Sequence, residues 1–459
     1  MVRNVILLMS AALGLGLAGC TSQVVRLPEP RPLGAGLGAP TDILAEPAVA
    51  TAPLTEQPAD PLTLDKARRL ALQANPALRA ALLEVQVADA RRIQAGQLAN
   101  PEVEIEVEEF GGAGARRGLD SAVMTSVLSY QVNLAGKRSK SKRAAALETA
   151  LAGWDYESKR LDVLTEATKA FIDVLASQAR LAVSAELVRI VRQMDDMASQ
   201  RVLAGKASPI EEAKASAATS MALIEQARSE RDLTVARSRM ASLWGAQAAV
   251  FERADGRLDQ LGPAPAQDEM VSLASQNPDV ARWATETECR EAVLRLEKAA
   301  RVPDVTLSGG VQRFLETDDQ AYLVSMSLPL PFFDRNQGGV LERERDLARA
   351  AEERRAAEAD LAVALVEAYN NLTTAHREAT TLRDIVLPRV EGAFEAARAN
   401  YRPGRVGYLD MLDAQRTLFE AKRQWIESLT AYHLAAADLE RIVCRPLVTI
   451  AEPDTTEGE

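Results

Sequence analysis

The sequence predicts a mainly α protein in which each of two repeated halves carries one β-hairpin and one long helical hairpin. The motif Asn75-Pro76 returns as Asn277-Pro278, 202 residues later (277 − 75), and two alternating segments and a long helical stretch follow it both times. Aromatic residues make up only 4% of the chain, which is typical of long packed helices rather than of a core rich in large side chains. A long period seen twice indicates an internal duplication.

The N-terminus predicts an export signal. Arg3 precedes an apolar run from Val5 to Leu17, which is too short for a membrane-spanning helix and fits a signal-peptide core. The run ends in Leu17-Ala18-Gly19-Cys20, which resembles the lipobox of bacterial lipoproteins. Thr21 follows the cysteine, and the absence of an aspartate there resembles lipoproteins that are sorted to the outer membrane. We therefore expect a signal peptide over 1–19, a lipid on Cys20 and an extended, acylated tether over 20–61. The alternative is an ordinary secretory signal with an accidental cysteine.

The first repeat is predicted to span residues 62–245. A helix starts after Thr63, a candidate N-cap, and Asn75-Pro76 separates it from a longer helix that ends near Ala99. A strand hairpin follows over 102–133, because Val103, Ile105 and Val107 alternate with four glutamates and a second alternating segment comes after Gly111-Gly112. The remainder, 137–244, predicts a helical hairpin that reverses at Gly205.

The second repeat is predicted over 269–447 by the same signals. Its strand hairpin covers 304–331, with Leu328 and Leu330 in the second strand, and its helical hairpin covers 337–443 with a kink or restart at Pro388. A linker over 246–268 containing Pro263 and Pro265 joins the repeats, and residues 448–459 form a tail. We expect linker and tails to meet the long helices in a belt.

The predicted strands indicate an oligomer. Each is roughly long enough to cross a bilayer when tilted, yet a single chain supplies only four, and an open sheet cannot lie in lipid with unpaired edges. Three copies of four strands would close one twelve-strand barrel, so we expect a homotrimer. The alternatives are a half-buried sheet of a soluble domain, and a helical rod without a lumen.

Composition argues against several other functions. A net charge of −11 gives no support to nucleic-acid binding. The two histidines, His376 and His433, lie in separate predicted helices, and no metal-ligand spacing, phosphate loop or catalytic triad order is present. We therefore expect no enzyme activity, no cofactor beyond the lipid and no metal site. Cys289 and Cys444 are predicted to be two buried thiols, with a disulfide as the alternative.

Several segments, in the same order in both halves, resemble the TolC family of outer-membrane efflux channels, and especially the branch that serves heavy-metal resistance-nodulation-division pumps. They are Asn75-Pro76, Asn100-Pro101-Glu102, Glu109-Phe110-Gly111-Gly112, Asn133-Leu134-Ala135-Gly136-Lys137-Arg138 and the segment from Tyr401 to Gln415. The resemblance implies a trimeric twelve-strand barrel in the outer membrane, continued by a twelve-helix periplasmic coiled-coil tunnel. It also implies two partners, a periplasmic adaptor and an inner-membrane pump that supplies the energy. Lys137-Arg138 would contact lipid headgroups at the membrane boundary.

The resemblance also implies site residues at the two helical tips. Asp410 and Asp413 match the aspartate pair that lines the family's periplasmic constriction, and Tyr401 matches a tyrosine whose hydrogen bonds hold the closed state. The alternative for the aspartates is that they only stabilise the first turn of a helix. Glu211-Glu212 would add negative charge to the same opening. The family's drug-efflux members keep an arginine at another position of the second tip, and this chain has Arg402 and Arg405 instead. The predicted adaptor-docking positions are Gly205, Lys206, Ser208, Gly404, Arg405 and Gly407.

The predicted function is a passive exit duct for heavy-metal cations, powered elsewhere in a tripartite efflux system. Two alternatives remain at this point. One is a coiled-coil structural lipoprotein of the cell envelope, and the other is an exit channel for drug efflux or for type I polypeptide secretion. Acidic positions such as Glu102 and Glu108 would favour cations through their field if they faced a lumen.

Overall fold

The computed structural model describes residues 27–37, 61–263, 265–401 and 403–447, and this part is mainly helical with one four-stranded sheet. The first repeat consists of α1 (Leu64–Ala74), α2 (Pro76–Ala95), β1 (Glu102–Glu108), β2 (Val123–Val132), α3 (Lys137–Leu203) and α4 (Pro209–Ser242). The second consists of α5 (Gln267–Ala274), α6 (Pro278–Ala300), β3 (Val305–Phe314), β4 (Asp319–Ser327), α7 (Gln337–Thr381), a π-helical turn (Leu382–Val386), α8 (Leu387–Tyr401) and α9 (Tyr408–Val443). The predicted signal peptide, the lipid-bearing Cys20, Arg402 and the tail from 448 onwards lie outside the described residues.

The duplicated Asn-Pro motif closes each repeat on itself. Thr63 caps α1 as predicted, with its hydroxyl accepting the Lys66 N–H at 3.4 Å. Asn75 caps α2 by accepting the Leu78 N–H at 3.0 Å, and its amide donates to the Leu243 carbonyl at the end of α4 at 2.9 Å. Asn277 does the same in the second repeat: it caps α6, and it donates to the Ile442 carbonyl near the end of α9 at 2.9 Å. The motif thus joins the start of one helix to the end of the last helix of its repeat.

The four strands form one antiparallel sheet in the order β1-β2-β3-β4, which leaves β1 and β4 at its edges. The register places apolar side chains on one face, in rows such as Val103, Leu128, Gly309 and Val324, and all four of these residues are exposed. The other face carries the glutamates of β1 in polar rows such as Glu102, Ser129 and Ser308, and it also includes Val127 and Leu323 in the row of Glu104. Two β-hairpins form in the two segments where alternation predicts them, although β4 ends at Ser327, before Leu328 and Leu330.

A salt bridge fixes the turn between the first hairpin and α3. Lys137 Nζ lies 2.9 Å from the Asp304 carboxylate, which also accepts the Leu134 N–H at 2.9 Å. Lys137 was expected to face lipid headgroups, but its side chain is only 19% exposed and is paired within the chain. A carboxylate just before β3 binds it because the sheet brings β2 and β3 side by side.

The helical hairpins are long. The 67 residues of α3 span about 100 Å at 1.5 Å per residue. The interruption expected at Pro388 lies just before it, where the helix widens into the five-residue π-helical turn from Leu382 to Val386. Pro388 has no N–H to donate to the carbonyl four residues earlier, which accounts for a break in the α-helical hydrogen bonding at this point. None of the helices in the described ranges is both long and apolar enough to cross a membrane.

The core lies in a belt where the short helices, the linker and an N-terminal segment pack against α3. Phe171, Met240 and Phe251 are buried there, with Phe251 contributed by the linker. Leu62 bridges to Ala254, so the linker is docked, as the expected belt requires. The linker also ends two residues earlier than predicted, because α5 begins at Gln267.

Residues 27–37, here called the strap, correct the prediction of an extended tether. Leu33 is 2% exposed, and its N–H donates to the Cys444 carbonyl at 2.9 Å. Arg160 of α3 donates to the carbonyls of Leu33 and Arg31 at 3.0 and 3.1 Å, and it pairs with Glu157 at 2.7 Å. The strap is therefore part of the belt, since it supplies acceptors for a guanidinium that is 1% exposed.

The thiols of Cys289 and Cys444 are free and buried, so the two-thiol prediction is confirmed. Burial raises the pKa of each to about 11.

Candidate channel constriction

The first helical tip reverses through Gly205. α3 ends at Leu203, and Gly205 has φ of +66°, which a residue with a Cβ adopts only at a cost. Ser208 then caps α4 by accepting the Ile210 N–H at 3.2 Å. Gly205, Lys206 and Ser208 are all exposed, as docking positions must be.

The second tip reverses through Gly404, with φ of +80°. The N–H of Arg405 returns to the Asn400 carbonyl at 3.0 Å, which closes the end of α8, and α9 begins after Gly407. Gly404, Arg405 and Gly407 are exposed. Each helical hairpin therefore reverses in a tight exposed turn at the position that the sequence predicts.

Tyr401 is buried between the two tips. Its side chain is 1% exposed, and its hydroxyl donates to the Glu211 carboxylate on α4 at 3.3 Å. Its ring meets that of Tyr408 edge-on at 6.1 Å between centroids. Burial raises the pKa of Tyr401, with the charge of Glu211 adding to the effect, and desolvation raises that of Tyr408 to about 12. Both rings are therefore neutral at physiological pH, and the bond from Tyr401 to Glu211 joins the two repeats within one protomer.

Arg201 also joins the tips, and the sequence reasoning missed it. Its Nη1 donates to the Tyr401 carbonyl at 2.6 Å, and its Nη2 donates to the Lys206 carbonyl at 3.4 Å. The guanidinium carbon lies 4.4 Å from the centroid of the Tyr401 ring. The available signal was a basic residue in the last turn of a helix, which is too common to identify a partner 200 residues away.

Asp410 and Asp413 lie exposed on the first turns of α9, while Met411 and Leu412 between them are buried. The Asp410 carboxylate accepts the Gly407 N–H at 3.3 Å. Asp410 therefore does what the helix-start alternative requires, but its exposure leaves the carboxylate open to solvent as well. The spacing of three places both carboxylates on one side of the helix.

Glu211 and Glu212 make contacts inside the tip. Glu211 accepts from Tyr401, and Glu212 accepts from the Ser199 hydroxyl at 2.7 Å. Their carboxylates thus hold α4 to α8 and to α3, respectively.

Within the described ranges, no group of three or more histidine, cysteine, aspartate or glutamate side chains is arranged to hold a metal ion. His433 is buried, and its Nε2 lies 2.9 Å from the Leu258 carbonyl of the linker. Burial lowers the pKa of His433, so its ring is a neutral part of the belt.

Comparison with known proteins identifies the family. The family model described as outer membrane efflux protein matches residues 67–246 and 270–444. The cobalt-zinc-cadmium resistance protein CzcC of Cupriavidus metallidurans is 34% identical over 84% of this chain and 91% of its own. A membrane protein from Pseudomonas aeruginosa matches the fold with a TM-score of 0.70 at 20% identity, over 86% of this chain and 97% of its own. Crystal structures of CusC match the fold with a TM-score of 0.69 at 17% identity, over 83% of this chain and 91% of the CusC chain. The resemblance to TolC-like channels is confirmed, and the chain belongs to the outer membrane efflux protein family.

Proposed function

We propose that three copies of this chain form a passive exit duct in the outer membrane, which releases heavy-metal cations delivered by a resistance-nodulation-division pump of the inner membrane. The observation that carries the proposal is the sheet with one exposed, mainly apolar face, one face that carries the β1 glutamates, and outer edges on β1 and β4 that pair with no other strand in the described part of the chain. In lipid such a sheet is stable only when its edges are paired, and pairing β1 of one copy with β4 of the next closes a twelve-strand barrel.

The helical hairpins support a tunnel that continues the barrel into the periplasm. They leave the sheet at one end and reverse at the tips, about 100 Å further on for α3. Three copies would bring six helical tips together, with Asp410 and Asp413 of each copy around one opening. Such a ring of carboxylates favours cations and repels anions.

The polar face of the sheet supports cations as cargo. Glu102, Glu104, Glu106 and Glu108 share that face with serine and glutamine side chains, as in the row Glu102, Ser129 and Ser308. In a closed barrel with its apolar face in lipid, these glutamates line the lumen and attract cations through their field. The similarity to a cobalt-zinc-cadmium resistance protein supports divalent transition metals as the class of cargo.

The partners follow from the same arrangement. A periplasmic adaptor would contact the exposed tips at Gly205, Lys206, Ser208, Gly404, Arg405 and Gly407, and Cys20 would carry a lipid that anchors the chain in the outer membrane. The duct would need neither enzyme activity nor a cofactor besides that lipid, since the pump supplies the energy.

An exit channel for type I secretion or drug efflux would share this architecture. A competition experiment between metal cations and the other cargo distinguishes such a channel from the proposed metal duct. A purely structural lipoprotein would need neither a trimer nor a conducting pore. The proposal therefore requires that the purified protein form trimers that chemical crosslinking captures, and that these trimers conduct ions in a planar bilayer.

The deciding experiment is single-channel recording of the wild type, of Asp410→Ala/Asp413→Ala and of Asp410→Asn/Asp413→Asn. The asparagine pair removes charge but keeps a side-chain acceptor for the Gly407 N–H. Glu427→Ala, an exposed acid 14 positions beyond Asp413 on α9 (427 − 413), is the control. Loss of cation selectivity in both aspartate variants, but not in the control, would support the ring. A change in the alanine variant alone would mean that the aspartates act only as helix caps. A wild type that forms no trimers or does not conduct would refute the proposed duct.

A further inference from the structure

The strap fills a groove between α1 and α3 in the first repeat. Four positions of α3, spaced by three or four residues, lie against it, and they are Gly153, Glu157, Arg160 and Leu164. The N–H of Arg31 donates to the Glu157 carboxylate at 2.7 Å. On the other wall of the groove, Leu33 is buried in one cluster with Ala67 and Ala71 of α1. The strap therefore holds a short helix against a long one.

The second repeat has the equivalent groove between α5 and α7, where the described residues leave a cavity of about 430 Å³. Four of the α7 residues that line it each follow one of the four α3 positions by 201 residues (354 − 153), and they are Arg354, Glu358, Leu361 and Leu365. Met270 and Ala274 of α5 line the other wall, 203 residues after Ala67 and Ala71 (270 − 67). Val271, which also lines it, is 57% exposed. This cavity is here called the second groove.

The last described residue, Leu447, lies beside the second groove. It packs on the apolar cluster that α5 and α7 form with α9. A few residues earlier in the chain, the Ile442 carbonyl accepts from the amide of Asn277, and residues on both sides of Asn277 line the groove, namely Ser275 and Val280. An extended residue spans about 3.3 Å, so the chain that follows Leu447 starts within reach of the groove.

The residues that follow Leu447 have suitable chemistry for this groove. Alternate side chains of an extended segment share one side, which places Val448, Ile450 and Glu452 together. The first two match the apolar walls of the cavity, and the third complements the guanidinium of Arg354. That guanidinium pairs with Glu358 at 2.7 Å, and the two side chains are 52% and 43% exposed, so a second carboxylate can approach it.

We propose that residues 448–453 bind in the second groove of their own chain and fasten α5 to α7, as the strap fastens α1 to α3. Pro453 favours an extended backbone at Glu452, as this binding requires. Each repeat then has one segment from a chain terminus that covers its short helix. The binding does not depend on whether the protein conducts ions.

Crosslinking in the full-length protein tests where the segment lies. Ile450→Cys is combined with Ala362→Cys in the second groove, or with the matched control Ala356→Cys, which is exposed on α7 and does not line the groove. A short bismaleimide should join 450 to 362 within one chain and should not join 450 to 356. No link to 362, or equal yields at the two positions, would refute the proposal. Links between chains would assign the groove to the segment of a neighbouring copy and would overturn it as well.

Amide hydrogen exchange measures the same binding without a crosslink. Residues 448–452 should exchange about tenfold more slowly in the protein than in a synthetic peptide of the same sequence. Val271→Glu places a carboxylate in the groove and should remove this protection, whereas Ser272→Glu, an exposed neighbour on α5 that does not line the groove, should keep it.

Two results of the exchange experiment would contradict the proposal. One is exchange of residues 448–452 in the wild type at the rate of the peptide, and the other is an equal effect of the two glutamate variants. Exchange over 267–274 shows whether Val271→Glu has loosened α5 itself. If it has, the crosslink from 450 to 362 decides.

Discussion

The buried ion pair of Arg160 and Glu157 can be used to measure how much the contacts between the strap and α3 contribute to stability. The two side chains are 1% and 3% exposed and lie 2.7 Å apart. Arg160→Ala leaves the Glu157 carboxylate buried without its counter-charge, with the Arg31 N–H at 2.7 Å as a remaining donor. It also deprives the Leu33 and Arg31 carbonyls of their donor. Breaking a buried ion pair on one side costs about 3–5 kcal/mol.

Urea unfolding of the purified trimer, followed by tryptophan fluorescence, measures this loss. Trp154 is a local reporter, because the Arg31 guanidinium lies 5.3 Å from the centroid of its ring. The matched control is Arg228→Ala, whose partner Glu225 lies in a pair that is 61% and 46% exposed. An exposed pair of this kind contributes about 1 kcal/mol or less.

A second variant separates the ion pair from the strap. Replacing both partners, as in Arg160→Met/Glu157→Leu, avoids an uncompensated buried charge and should recover part of the lost stability. A loss of stability in Arg160→Ala no larger than that in Arg228→Ala would refute the reasoning. It would mean that the strap is not bound to α3 through these contacts.

Three further predictions follow from the belt and the repeats. Asn277→Ala should lower the free energy of unfolding by about 1–3 kcal/mol, because it removes a helix cap and a donor to the Ile442 carbonyl, and Asn75→Ala should have a similar effect. Thermal unfolding tests both variants, and no loss of stability in either would refute the role of the motif in joining the first and last helices of a repeat. Maleimide should label Cys289 and Cys444 at pH 8 only after unfolding, because burial raises the pKa of both thiols to about 11; mass spectrometry showing prompt labelling would contradict this. Burial lowers the pKa of His433 below 6.5, so the stability that its neutral ring contributes is present above pH 6.5 and is lost as the pH falls towards the pKa in the folded state. His433→Gln should flatten this part of the pH–stability profile, and an unchanged profile would show that His433 is not its cause.

The candidate site could be predicted only in part. Gly205 and Gly404 mark the reversals because a tight turn needs a positive φ that glycine adopts without strain. The pattern around Asp410 and Asp413 indicates a helix start, which the structure has at Tyr408. No local pattern indicates that Tyr401 is buried or that Glu211 accepts its hydroxyl, since the two lie 190 positions apart.

The sequence by itself determined the duplication, the strand and helix periods, the helix starts and the tip turns. Each of these depends on residues within a few positions of one another, whose backbone preferences and apolar spacing decide the local structure. Only the tertiary structure decided that the strap is docked, that Lys137 pairs with Asp304, and that Arg201 binds the Tyr401 carbonyl. These contacts join residues more than 120 positions apart. The Lys137 and Arg201 contacts form because folding brings the two repeats side by side, and the Arg160 contact forms because the strap docks on α3. A charge or a carbonyl has many partners of suitable chemistry along a chain, and packing selects the one within reach.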